Sequence, residues 1–117
     1  KKGKSGTREL LQVFKDGYSI ALMIDQRVSE GIKSKFFNRS ALTTTIPAQL
    51  VKKYNVEVVP VYIERKNGVY FKMQINKPIL FNENKSFEEI TDRLNKILEE
   101  MILKNPDQWI WSHDRWK

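Results

Sequence analysis

Residues Tyr18–Asp25 read YSIALMID. The run is apolar nearly throughout and too short for a globular helix, so it predicts a strand buried on both faces, as in a parallel sheet. Its flanks read as helices. Over residues 5–16, Leu10, Val13 and Phe14 recur at i, i+3, i+4, and Gly17 can close the helix in the left-handed conformation. Residues 42–54 place Leu42, Ile46, Leu50 and Tyr54 four apart, with Pro47 confined to the first turn. VEVVPVYIE (56–64) and VYFKMQIN (69–76) then read as strands, with Asn67-Gly68 supplying positive backbone angles to the turn. Val69, Phe71, Met73 and Ile75 alternate with Tyr70, Lys72 and Gln74, which predicts a half-buried strand. Ser86 and Glu89 form a capping box ahead of Ile90, Leu94, Ile97, Leu98, Met101 and Ile102, a stripe that ends before Pro106. The alternation of elements predicts an α/β domain with at least one antiparallel edge pair.

Composition narrows the function classes. The 117 residues are the size of one domain and contain no cysteine and one histidine, which excludes disulfides and a thiolate metal site and predicts no metal centre and no cofactor. The longest apolar run is YSIALMI, far short of the ~20 residues of a membrane-spanning helix. The net charge of +7 is uneven: residues 1–53 hold 11 Lys/Arg against 4 Asp/Glu, and residues 54–117 hold 10 of each. The basic half suits an anionic partner such as nucleic acid, a lipid head group or an acidic carrier protein.

Two stretches stand outside the helix and strand periodicities. Residues 25–41, DQRVSEGIKSKFFNRSA, lose periodicity and gain charge, so they read as a loop at the carboxyl end of the first strand, where α/β sheets bind ligands. Asp25 there can orient an arginine, accept from a substrate hydroxyl, or simply stabilise the loop. The terminal NPDQWIWSHDRWK holds all three tryptophans and the histidine. Pro106 suits the first turn of a helix capped by Asn105. Such a helix would put Trp109, His113 and Trp116 on one face, and Trp111 with Arg115 on another. It would either close the fold by packing its indoles or line a site for acyl chains or phosphates. No Ser or Cys nucleophile signature accompanies His113, which favours a structural histidine.

Taken together, TRELLQVFKDG, DQRVSEGIKSKFFNRSALTTT, VVPVY before a hairpin, and PDQWIWSHDRWK resemble the bacterial lipid A biosynthesis acyltransferases, the late lauroyl and myristoyl transferases. The closing pattern Pro-(Glu/Asp)-Gln-aromatic-x-Trp-x-His-x-Arg-aromatic-Lys is filled by Pro106, Asp107, Gln108, Trp109, Trp111, His113, Arg115, Trp116 and Lys117. Asp25-Gln26, Gly31, Phe36-Phe37 and Thr44 match the central loop in order. Asn38 stands where the family usually shows glycine, and asparagine tolerates left-handed angles. The resemblance covers nearly the whole chain, in the family's C-terminal part only. It implies a glycerolipid-acyltransferase-like mixed sheet flanked by helices. The activity implied is transfer of a fatty acyl group from acyl carrier protein to a hydroxyl of a phosphorylated lipid A precursor, at the cytoplasmic face of the inner membrane.

The same resemblance implies site roles. The family's catalytic His-x4-(Asp/Glu) signature lies upstream of the matching stretch, and only four residues follow His113. No catalytic residue is therefore expected here. The opening KKGKSGTREL starts mid-pattern without an initiator methionine, so we expect a longer parent whose N-terminal part carries the dyad and meets the membrane. Arg8 matches an arginine before the first helix's Leu-Leu pair, suited to a phosphate or oxyanion. Asp25, Gln26, Arg27, Lys33, Lys35 and Arg39 complete the expected substrate-binding set, with Gly31, Phe36, Phe37, Thr44 and the terminal signature as its frame. One alternative is an acyltransferase for another glycolipid, such as a phosphatidylinositol mannoside. A nucleic-acid-binding module would need exposed aromatics among the basic residues, where only Phe36 and Phe37 qualify; no nucleic acid is expected.

Overall fold

The computed structural model describes residues 4–117, with side chains from Glu9 onward. Helix α1 spans Lys4–Lys15, and Gly17 follows it at φ +90° with its N–H on the Phe14 carbonyl. Strands β1 (Ile32–Phe36) and β2 (Arg39–Thr43) form an antiparallel hairpin, and α2 covers Ile46–Tyr54. A second antiparallel hairpin joins β3 (Val61–Asn67) to β4 (Tyr70–Ile75). Helix α3 (Phe87–Ile102) precedes a single 3-10 turn at Pro106–Gln108. The class is α/β, and the pairing within both sheets is antiparallel.

Helix α3 organises the interior. Ser86 accepts from the Glu89 N–H while the Glu89 carboxylate accepts from the Ser86 N–H, the capping box expected of the sequence. Two apolar clusters meet the helix. Ile90 and Leu94 pack with Ala48 and Val51 of α2 and with Phe81, joined by Ile24, Val58 and Ile79. Two turns beyond, Ile102 packs with Phe36 and Ala41, joined by Phe37, Leu98, Trp109 and Trp116. The first cluster holds α2 and the second holds the β1–β2 hairpin.

Four sequence expectations change. Residues 18–24 form no strand: they pair with no described strand, and Tyr18, Leu22 and Met23 are exposed while Ile24 turns inward. Apolarity made the run fit for a sheet, but a strand needs a neighbour to satisfy its N–H and C=O groups. Residues 25–41 are not all loop, because Ile32–Phe36 alternates inward and outward and pairs with Arg39–Thr43. The two-residue turn uses Phe37 at φ +49° and Asn38 at φ +59°, the left-handed pair of a type I′ hairpin. Thus α2 starts at Ile46, with Pro47 in its first turn as expected, and Leu42 belongs to β2. Finally, β4 is exposed along its whole length instead of half-buried, and of the expected turn pair only Gly68 has positive φ.

Candidate functional site

The terminal stretch folds back over the β1–β2 hairpin, though not as a helix. After the 3-10 turn Trp109 is extended, at φ −91° and ψ 138°, and Asn105 makes no side-chain cap. Tertiary contacts outweigh helix propensity here. The Gln108 amide accepts from Arg65 N–H at 2.9 Å and donates to Arg65 C=O at 2.7 Å, so it brackets the edge of β3. Trp111 Nε1 donates to the Pro106 carbonyl, closing the turn on itself. Trp109 and Trp116 each sit 5.7 Å from the Phe36 ring, and Trp111 lies 5.7 Å from Phe37. The helical-face grouping of Trp109 with His113 and Trp116 is therefore replaced by convergence on one buried phenylalanine. Trp109 and Trp116 are half-buried and Trp111 is exposed, so two of the three indoles pack into the fold.

Beneath the indoles lies a polar network that spacing did not reveal. Arg115 is fully buried. Its Nη1 donates to the Leu42 carbonyl and its Nη2 to Thr43 Oγ1, while its guanidinium faces the Phe36 ring at 5.4 Å. Burial pushes its pKa down, and the negative charge of Asp25 works against that shift. From α3, the buried Asn95 donates to Ser34 Oγ (2.8 Å), Thr43 Oγ1 (3.1 Å) and the Lys35 carbonyl (3.3 Å). Ser34 in turn donates to Asp92 Oδ1 at 2.5 Å. Glu99 accepts from Phe37 N–H at 2.7 Å and from Lys96 Nζ at 3.0 Å, which steadies the left-handed Phe37. Trp116 Nε1 donates to the Phe36 carbonyl at 2.9 Å. At the hairpin tip the Lys35 carbonyl and the Phe37 N–H are held from below by α3, and the Phe36 carbonyl from the side by the tail. Asn95 and Glu99, central to this, escaped the sequence reading because they sit among charged helix residues and look like part of a solvated face.

The expected ligand residues now separate. Asp25 is half-buried at the end of a segment without regular secondary structure, not at the carboxyl end of a parallel strand, and its field reaches Arg115. The Arg27 N–H donates to His113 Nε2 at 3.3 Å, so the exposed imidazole ties the tail to the Asp25–Arg27 loop. Gln26 is exposed. Lys33 and Lys35 project from the outer face of β1, opposite Ser34 and Phe36. Arg39 does not join them: it stacks over the Trp116 ring at 4.9 Å on the other face. Arg27, Lys33, Lys35 and Arg39 are thus one basic segment but not one continuous surface. Arg8's side chain lies outside the described residues. Gly31 is required by space, since a Cβ there would stand 2.3 Å from the Thr43 carbonyl oxygen. Thr44 Oγ1 accepts from the Ile46 N–H at the entry to α2. Phe36 is fully buried and so has no face free for base stacking.

Among the described residues no group of His, Cys, Asp and Glu could hold a metal ion, and no helix is long and apolar enough to cross a membrane. What the geometry builds is a rigid basic hairpin locked onto α3 by a buried arginine–threonine–asparagine network. Of the residues that lock it, Phe36, Arg115 and Trp116 fill motif positions read in the sequence, and Thr43 and Asn95 do not. Over residues 2–117 the chain matches the bacterial lipid A biosynthesis acyltransferases, and it belongs to that family. A search of curated proteins gives no match.

Proposed function

We propose that this protein acts in the transfer of a fatty acyl group from an acyl carrier protein thioester to a hydroxyl of a phosphorylated lipid A precursor. In this reading the general base that takes the hydroxyl proton belongs to a His-x4-(Asp/Glu) stretch on the N-terminal side of Lys1. The work is done at the cytoplasmic face of the bacterial inner membrane. The described residues contribute binding and positioning. The observation that carries the reading is the outward ledge of Lys33 and Lys35 on a hairpin whose other face is pinned by Asn95 at β1 and by Arg115 at β2. Pinned cations present a fixed pattern to an acidic carrier helix or a lipid phosphate, without the ordering cost of a mobile loop. Asp25, Gln26 and Arg27 lie on the loop tied to His113, where they can meet the polar head group of the acceptor.

The test is binding of fluorescent acyl-acyl carrier protein to the 117-residue chain at low and high salt. We expect Lys33→Glu/Lys35→Glu to weaken binding by about tenfold or more, and salt to erase the difference, because exposed charges are screened over ~8 Å at physiological ionic strength. Equal affinities for the wild type and the double variant at low salt would overturn the carrier assignment.

A further inference from the structure

One hydrogen bond ties the loop after Asp25 to the tail. Among the described residues, the Arg27 N–H donating to His113 Nε2 at 3.3 Å is the one hydrogen bond that residues 25–30 make with the rest of the chain. A ring nitrogen that accepts carries no proton, so the bond selects the neutral imidazole with its proton on Nδ1. The imidazole stands on a fixed base. The His113 N–H donates to the Ile110 carbonyl at 3.1 Å. Two residues on, Arg115 is fully buried, with Nη1 on the Leu42 carbonyl and Nη2 on Thr43 Oγ1, and Trp116 Nε1 donates to the Phe36 carbonyl. The loop has no such base, since residues 25–31 hold no helix or strand. The tail is therefore the holder and the loop is what it holds.

The same bond divides Arg27 in two. Its backbone is held, while its guanidinium enters no ion pair among the described residues, which leaves a planar fork of donors free for an anion. The tail exerts a second pull. Arg115 Nε finds no hydrogen-bond partner among the described residues, and the charge of the half-buried Asp25 acts on that guanidinium. Asp25 and Arg27 are thus drawn to Arg115 and His113, which stand at alternate positions of the tail. We propose that His113 is a positioning residue for acceptor binding: by holding the Arg27 backbone, it fixes the place from which the Arg27 guanidinium takes a phosphate of the lipid acceptor. This rests on the reading that the Asp25–Arg27 loop meets the acceptor head group. A cation placed before binding does not lose that ordering entropy when the acceptor arrives.

The chain has one histidine, so the imidazole nitrogens of an isotope-labelled sample give a single set of nuclear magnetic resonance signals. We expect a protonated Nδ1 and a bare Nε2, the reverse of the tautomer a solvated imidazole favours, and a moved Arg27 amide resonance in His113→Leu. In the full-length enzyme, His113→Leu should raise the KM for the phosphorylated lipid A precursor about fivefold, the scale of one lost hydrogen bond, and leave the KM for acyl-acyl carrier protein in place. His113→Gln, whose amide oxygen can accept from the same N–H, should restore most of the acceptor KM. On an Arg27→Ala background, His113→Leu should add nothing further, because it acts through Arg27. An unmoved acceptor KM in His113→Leu, or an equal rise in both KM values, overturns the proposal. A solvent-like tautomer beside normal wild-type turnover overturns this proposal alone. A wild type that shows the bare Nε2 but no turnover overturns the assigned reaction, and the positioning role with it.

Discussion

The Arg115 guanidinium and the Thr43 hydroxyl meet inside the fold at 2.9 Å, across 72 residues of sequence. The same hydroxyl accepts from Asn95 Nδ2 at 3.1 Å and donates to the Ala41 carbonyl at 3.3 Å, so its one donor and two acceptor positions are all used. Thr43→Val keeps the shape but takes the acceptor from Arg115 Nη2, while Asn95 Nδ2 keeps Ser34 Oγ and the Lys35 carbonyl. We expect it to cost about 2–3 kcal/mol in urea unfolding, since an orphaned buried group costs about 1–3 kcal/mol and more when charged. Thr43→Ser should cost under about half of that, because the hydroxyl remains. Equal losses in the two variants would mean the network is incidental to the packing.

Gly31 makes a different kind of demand. Its missing Cβ leaves room for the Thr43 carbonyl, which an alanine would approach to 2.3 Å. Backbone sits on the far side, so the clash cannot be relieved by a rotamer change. Gly31→Ala should destabilise by about 1–3 kcal/mol, the usual range for overpacking, and shift the Ile32 and Thr43 amide resonances at the open end of the hairpin.

Trp109 and Trp116 test closure by the tail. Trp109→Ala removes a half-buried indole from the Phe36–Ile102 cluster and should cost roughly 2–3 kcal/mol, below the 3–5 of a fully buried aromatic. Trp116→Phe keeps most of the ring and loses the bond to the Phe36 carbonyl, which should cost about 1 kcal/mol. Melting temperatures should fall in that order. A Trp109→Ala variant as stable as the wild type would remove the closing role.

The capping box predicts a pH dependence. The Lys85 side-chain hydrogen bond, then the Ser86 N–H, hold the Glu89 carboxyl below its ordinary 4.5. A depressed folded-state pKa contributes stability that is present above the unfolded value and is lost as pH falls through the folded one. Glu89→Gln should therefore be less stable than wild type above about pH 5, with the gap closing below pH 4.5, and high salt should narrow it because the pair is exposed. A gap that persists unchanged at pH 2 would show that the cap acts without the carboxylate's charge.

Local chemistry made part of this protein legible. Gly17, the Ser86–Glu89 box, Pro47 in the first turn of α2 and the stripe from Ile90 to Ile102 each rest on contacts within one or two helical turns, and the structure reproduces them. The β1–β2 hairpin was missed because its turn is Phe37-Asn38, a pair without the usual glycine, and the left-handed Phe37 is held by Glu99 from 62 residues away. The tail's tryptophans were correctly singled out, but their grouping by helical spacing failed because nothing local opposes the pull of Phe36.

The sequence by itself determined the α/β class, the ends of α1 and the capped start of α3, the basic segment and the motifs that place the chain in its family, since these follow from propensity, capping and residue order. The tertiary structure alone decided that Lys33 and Lys35 stand apart from Arg39, that Arg115 is buried against Thr43, and that the apolar side of β3–β4 faces outward. Which face of an alternating strand is covered depends on what packs against it. Here Gln108 holds the backbone edge of β3 and Lys104 lies over the Tyr62 ring on the inner face, both from far along the chain.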